Sequence, residues 1–407
     1  MRPIKLAVFF DQQLHAGGGY QQALNAAQLA RQLPLDVCIP LFVTSVANNV
    51  SVLRSYGIEA HYLPIPKWRR VILKLRTLIR WLPAIHFVRR WFGENIVEGY
   101  LSHHSIDLVY FTSPSGLALN LERLNYIFIL WDLSHRDDPE FPEVRDDREF
   151  ERRDVLYNGT LTKAVAVLVD SEIGKINVVR RYGVDDERVH VMPFSPASGA
   201  QISEVEYESG YIDIKFKYEL ETDYVFYPAQ FWSHKNHVYL LRGLKLLEES
   251  YGIRISAVFA GGDAGGNLEY VKKVAQELGL SERVRFAGFV PNEEVPYLYR
   301  QAIALVMPTY FGPTNLPPLE AFSLGVPVLY PDRPGLRDQV GDAAFLMDLN
   351  DPRSMAVHIS SLINNPTLRG EMICKGKAVL VQYSDQHRLN ILIKILDDFR
   401  QRRDCWI

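Results

Sequence analysis

Apolar residues gather in short runs, mostly on successive positions rather than in alternation, and longer stretches of helical periodicity separate them. In the first half the runs are Ile4–Phe10, Val37–Val43, Leu108–Phe111, Ile127–Trp131, Ala164–Val169 and Val189–Met192. In the second half they are Tyr224–Tyr227, Ile255–Ala260, Val284–Phe286, Ala304–Met307, Val326–Leu329 and Ala344–Met347. Runs of this kind suit strands covered on both faces, which predicts parallel sheets. The repeated strand–helix–strand order then implies α/β domains with right-handed crossovers. The small, Pro/Gly-rich stretch Ser195–Ala200 reads as a linker. This gives an N-terminal Rossmann-like domain over 1–198, a second over 199–384, and a C-terminal helical segment, 385–407, that could pack anywhere. Two doubly wound domains place a ligand at the carboxyl ends of their strands.

Composition narrows the class. With 407 residues, 47% hydrophobic and 23% charged, the chain can bury two ordinary cores. A formal net charge of -3 argues against a nucleic-acid binder. Three widely spaced cysteines, Cys38, Cys374 and Cys405, fit a reduced setting better than a disulfide framework. No run reaches the length needed to span a bilayer, so the expected location is cytoplasmic, soluble or peripheral on a membrane. One local stretch stands apart. Between Ala60 and Gly93 there is no Asp or Glu, while Lys67, Arg69, Arg70, Lys74, Arg76, Arg80, Arg89 and Arg90 are basic. Trp68 and Trp81 are among the aromatics interleaved with them. Such a segment suits an anionic membrane surface; the alternative is a solvated basic face that also binds a phosphorylated acceptor.

The candidate chemistry centres on two strand–loop–helix units. After run Ala304–Met307 comes a loop of Gly312, Thr314 and Asn315, then Leu316-Pro317-Pro318-Leu319-Glu320-Ala321. Pro317-Pro318 suits a first helical turn, which puts Glu320 in that turn, where the helix dipole favours a carboxylate able to accept ribose hydroxyls. After run Tyr224–Tyr227, Ser233 reads as an N-cap and Lys235 as a first-turn residue. A cation there opposes the dipole unless an anion binds. The bland alternatives are a good helix starter and an exposed lysine. In the first half, Gly17-Gly18-Gly19 follows the first strand, a place where backbone can approach phosphate closely. Asp132 and His135 follow run Ile127–Trp131, and His135 suits substrate contact or proton transfer as well as a structural loop.

The run Leu316 to Ala321, with Gly325-Val326-Pro327-Val328 after it, resembles the donor-binding signature of the retaining family-4 glycosyltransferases of the GT-B fold. Tyr227 to His237 resembles the same family's strand-to-helix element with a phosphate-binding lysine. Gly261-Gly262-Asp263, Gly288-Phe289-Val290 and Gly341-Asp342-Ala343-Ala344 fall where the family has similar segments. The resemblance implies a nucleoside-diphosphate-sugar donor, a saccharide or lipid-linked saccharide acceptor held by the first domain, no metal and no other cofactor. It places Gly18, Gly19, Gln230, Gly288, Phe289, Val290, Thr314, Asn315, Leu316 and Glu320 at the donor. Lys235, Glu320, Asp132 and His135 become the candidate catalytic set. Polysaccharide or lipopolysaccharide assembly is the implied setting. Three positions depart from the pattern: Gln230 stands where many members have arginine, Gly312 where many have glutamate, and Trp131 where histidine is common. A catalytically silent sugar-nucleotide binder and a sugar-nucleotide 2-epimerase therefore stay open. An NAD dehydrogenase does not fit, because no complete G-x-G-x-x-G follows a first strand.

Overall fold

A computed structural model describes residues 2–14, 18–79, 95–196, 202–263, 265–312 and 314–406. The chain forms two compact units, each built on one sheet. The first comprises Met1–Asp132, Glu151–Pro193 and Asp385–Ile407; the second comprises Leu133–Phe150 and Phe194–Ser384. The segment after Asp132 thus clusters with the second unit and the final helix with the first. Neither assignment follows linear order along the chain.

The first unit carries strands β1 (Ile4–Phe10), β2 (Cys38–Thr44), β3 (Ala60–Tyr62), β4 (Leu108–Phe111), β5 (Asn125–Ile129), β6 (Ala166–Val169) and β7 (Val189–Val191). All pairs are parallel, in the order β3-β2-β1-β4-β5-β6-β7. The second carries β8 (Tyr224–Pro228), β9 (Ser256–Ala260), β10 (Val284–Gly288), β11 (Leu305–Val306), β12 (Val328–Pro331) and β13 (Ala344–Met347). These are also parallel, in the order β10-β9-β8-β11-β12-β13. The apolar runs therefore became parallel strands, β4, β6 and β9 without an exposed residue. The short strand Ala60–Tyr62 lies at the sheet edge, largely exposed, and had no apolar run to announce it.

The final helix, Asp385–Arg403, turns Leu389, Leu392, Ile395, Leu396 and Phe399 into the core that holds Leu6, Leu24 and Ala27. That three-and-four spacing is one helical face. Its last residue is pinned electrostatically. Arg403, 1% exposed, donates to Asp107 Oδ2 at 2.8 Å and to the Arg2 carbonyl at 3.0 Å. Asp107 also accepts from the Lys5 N–H at 2.9 Å and from Arg2 at 2.9 Å, so the buried carboxylate closes both chain ends of this unit.

Removing one partner of a buried pair leaves the other charge uncompensated, which typically costs about 3 kcal/mol or more. Arg403→Met should lower the urea midpoint accordingly, at unchanged slope. A wild-type midpoint would show that the pair contributes nothing.

Candidate active site

In the second sheet the chain leaves β8 toward β9 and β10 on one side and returns to β11, β12 and β13 on the other. The β8/β11 junction is the switch point where an open α/β sheet binds ligands beyond its carboxyl edge. Two loops meet there. After β8, Ser233–Lys235 forms a single 3₁₀ turn, Asn236 adopts a left-handed conformation (φ 53°), and the helix proper begins at His237. Lys235 therefore precedes the helix, in a tighter turn than an N-cap at Ser233 implies. Its carbonyl accepts from the Tyr227 hydroxyl at 2.9 Å, and the His234 carbonyl accepts from the Tyr310 N–H at 2.8 Å. His237, wholly buried, stacks on Phe231 at 4.4 Å and packs edge-on to Phe259 at 5.1 Å. Burial in that apolar slot pushes its imidazole pKa down to about 3, so it stays neutral under the turn.

The loop after β11 brings the other half. Lys235 Nζ donates to Asn315 Oδ1 at 3.3 Å. Asn315 opens the helix Leu316–Ser323, and Leu316 and Thr314 are buried beside it. Because that helix starts at Leu316, ahead of the proline pair, Glu320 is its fifth residue rather than a first-turn residue. The dipole reaches it weakly. Burial raises the Glu320 pKa above its ordinary value, and the Tyr299 hydroxyl, donating to Oε2 at 2.7 Å, works in the opposite direction.

The neighbouring loops complete the rim. Gly261 is required where it stands: a Cβ there would lie 2.2 Å from the Ala229 carbonyl oxygen. Its N–H donates to the Gly288 carbonyl at 2.7 Å, and the Phe231 N–H donates to the Gly262 carbonyl at 3.1 Å. Gln230 is exposed and accepts from Trp232 Nε1 at 2.9 Å. At the end of β10, Gly288 has φ 65°, Phe289 is exposed and Val290 is buried. Sequence reading did not single out Glu143, Asp138 or Arg333. The Glu143 carboxylate bonds the His234 ring and accepts the His234 N–H at 2.8 Å. Burial works to raise its pKa, but those His234 bonds outweigh it and hold the group below the usual range. Asp138 accepts from Arg333 at 2.7 Å, and the Phe141 ring meets Phe311 at 4.9 Å. These partners lie about a hundred residues or more apart, so no local pattern announces them.

In the first unit the corresponding switch point is β1/β4. Gly17 lies outside the described residues; Gly18 starts the helix Gly18–Arg31. Gly19 lies under the Trp131 indole, and a Cβ there would come within 2.8 Å of the ring. Asp132 is partly exposed and pairs with Arg153 at 2.8 Å. His135, in the Leu133–Phe150 segment that clusters with the second unit, is wholly buried and edge-on to Phe150 at 5.4 Å.

The basic segment forms a helix over Lys67–Ile79; Arg80 and Trp81 lie outside the described residues. Trp68, Val71 and Leu75 are exposed on one stripe, beside exposed Lys67, Arg70 and Lys74 and half-buried Arg69, whose guanidinium lies 5.0 Å from the Trp68 ring. Arg76 does not belong to that surface. It is buried, facing Glu122 at 4.0 Å, because the position three residues beyond buried Leu73 falls on the inward face. Among the described residues no helix is long and apolar enough to cross a membrane.

Residues 212–379 match the family model of glycosyl transferases group 1. The chain is 26% identical over 235 residues to O-antigen chain mannosyltransferase B of Escherichia coli, covering 55% of this chain and 58% of that one. It is 27% identical over 266 residues to a D-inositol 3-phosphate glycosyltransferase of Corynebacterium jeikeium, covering 62% of each. The matches thus span about three fifths of these relatives' length. In fold it is similar to Anabaena HepE, solved in complex with UDP, with a TM-score of 0.71 at 17% identity over 97% of this chain and 100% of that one.

The raised Glu320 pKa has a measurable sign. A carboxyl whose folded pKa exceeds its unfolded value adds stability fully present below the unfolded value of 4.5 and lost as pH rises through the folded pKa. Glu320→Gln removes the penalty for ionising a buried group at neutral pH. Its melting temperature at pH 7.5 should exceed wild type, with the gain closing as pH falls toward 4.5. A variant less stable than wild type at pH 7.5 would contradict this placement.

Proposed function

We propose that this chain, which matches the group 1 glycosyl transferase model over residues 212–379 and has the GT-B fold, moves a sugar from a nucleoside-diphosphate-sugar to a hydroxyl acceptor, with retention of anomeric configuration. The observation that carries the reading is the meeting of Lys235 and Asn315 at the β8/β11 switch point, on the element that also bears Glu320. Glu320 accepts the ribose hydroxyls. Lys235 and the loop N–H groups take the charge that develops on the diphosphate as the anomeric C–O bond breaks. The acceptor oxygen bonds the anomeric carbon and its proton leaves with the diphosphate. This electrostatic work calls for no metal ion. The acceptor, a saccharide or lipid-linked saccharide of polysaccharide or lipopolysaccharide assembly, belongs to the first unit, near Gly19, Asp132 and the basic helix. The setting is cytoplasmic, at the membrane's inner face.

The Gly312 loop favours one rival. Gly312 has φ 91°, a conformation that a side chain disfavours, so the acid common in similar proteins has no place here. A silent sugar-nucleotide binder would share that feature. Incubation with UDP-, GDP- and ADP-sugars and a saccharide acceptor panel separates them: transfer, undiminished by EDTA, is expected with one donor. Lys235→Ala should reduce its rate by about 10²–10³-fold. Binding without transfer would favour the silent protein, a changed sugar without acceptor would indicate a 2-epimerase, and full activity in Lys235→Ala would refute the site.

The exposed Trp68/Val71/Leu75 stripe, flanked by Lys67, Arg70 and Lys74, supports attachment to an anionic bilayer. Each basic residue contributes about 1 kcal/mol at such a surface. The protein should float with phosphatidylglycerol liposomes at low salt, and Trp68→Ala with Lys74→Ala should weaken that. Failure of the wild type to float would sink the attachment.

A further inference from the structure

Around Asn315 the hydrogen bonds run in one direction. Asn315 Nδ2 donates to the Tyr330 hydroxyl at 2.7 Å and to the Phe311 carbonyl at 3.3 Å. Both amide hydrogens are then used, so the face presented to Lys235 must be the oxygen. The Tyr330 hydroxyl can accept from Asn315 because its own hydrogen goes to Gln339 Oε1 at 2.9 Å. Gln339 in turn clasps the backbone of Asn315: Oε1 accepts the Asn315 N–H at 3.0 Å, and Nε2 donates to the Asn315 carbonyl at 2.6 Å. A flipped Gln339 amide would set donor against donor at the Asn315 N–H and acceptor against acceptor at the Asn315 carbonyl. Tyr330 and Gln339 are 0% and 3% exposed, so water does not compete for these bonds. The space is closed on its other side, since a Cβ on Gly312 would lie 3.0 Å from Asn315 Nδ2.

We propose that Gln339 and Tyr330 are positioning residues that hold the Asn315 carboxamide with its oxygen toward Lys235, so fixing the ammonium for a diphosphate. This rests on the donor-site reading above. Asn315 offers Lys235 a neutral amide oxygen, which orients the ammonium without itself cancelling its charge. A carboxylate in the same place would draw on the charge that the phosphate needs. The relay acts on the diphosphate alone, because neither residue bears on the Glu320 carboxyl, which Tyr299 holds separately.

The test is a double-mutant cycle read by calorimetry. Whichever of UDP, GDP and ADP binds the wild type is compared with its own monophosphate. Tyr330→Phe and Gln339→Met should each weaken the diphosphate about tenfold, the size of one charge-assisted hydrogen bond. Monophosphate affinity should stay within about twofold in both variants, a change under half a kcal/mol. In a Lys235→Ala background, Tyr330→Phe should change diphosphate affinity no further. Equal losses for monophosphate and diphosphate, or a Tyr330→Phe effect that persists without Lys235, would overturn the relay while leaving the donor site intact. A wild type that binds none of the three diphosphates would overturn the functional reading, and the relay with it.

Discussion

Everything at the candidate site depends on the seam between the turn after β8 and the loop after β11. Parallel neighbours deliver their carboxyl ends to the same edge, but nothing in that topology aligns two irregular loops. The alignment comes from backbone carbonyls in the Lys235 turn that take hydrogen bonds from the opposite side and from below: the Tyr310 N–H on His234, the Tyr227 hydroxyl on Lys235 itself. The stacked ring pair His234–Phe311, 4.2 Å apart, seals the same seam with apolar area. A lysine on a free helix end would lose side-chain entropy on every engagement. Here its backbone is held in advance, so less ordering remains for the ligand to impose.

The ionisable groups around the seam follow a division of labour. Glu143 lies below its ordinary range through its His234 bonds, against the pull of burial, and serves as an anchor. His237 is driven neutral by burial and serves as packing. Burial opposes the ionised form of Glu320, as it does that of Asp138, where the Arg333 guanidinium works against it. Structural groups tend to settle into their most favourable protonation state. A carboxyl kept in an unfavourable environment at a switch point is the pattern expected of a binding or reacting group.

Much of the fold was legible in the sequence, because short, mostly apolar runs have few other uses than doubly covered strands. All twelve runs became strands, some shifted by a residue or two at their ends. Ala60–Tyr62 escaped because an exposed three-residue edge strand carries no apolar signature. At the site, Lys235, Asn315 and Glu320 were readable from strand–loop–helix context, while the finer placement was not. A helix beginning one residue early moved Glu320 out of the first turn, and a 3₁₀ turn displaced Lys235 from the helix. Tyr330, Gln339 and Glu143 were invisible for a different reason. Their meaning lies in hydrogen bonds spanning from nine to ninety-one residues, and each reads as an ordinary core or loop residue on its own. Gly312 is intermediate: the missing acid was visible, but only the left-handed backbone and the Asn315 amide beside it give the absence a physical cause.

The most direct test is an experimental structure of the protein with a bound nucleoside diphosphate. The account predicts the terminal phosphate within about 3 Å of Lys235 Nζ, the ribose hydroxyls on the Glu320 carboxylate, and Asn315 still bonded to Tyr330. A nucleotide held by the first unit, or one in the second unit that leaves Lys235 and Glu320 untouched, would contradict it.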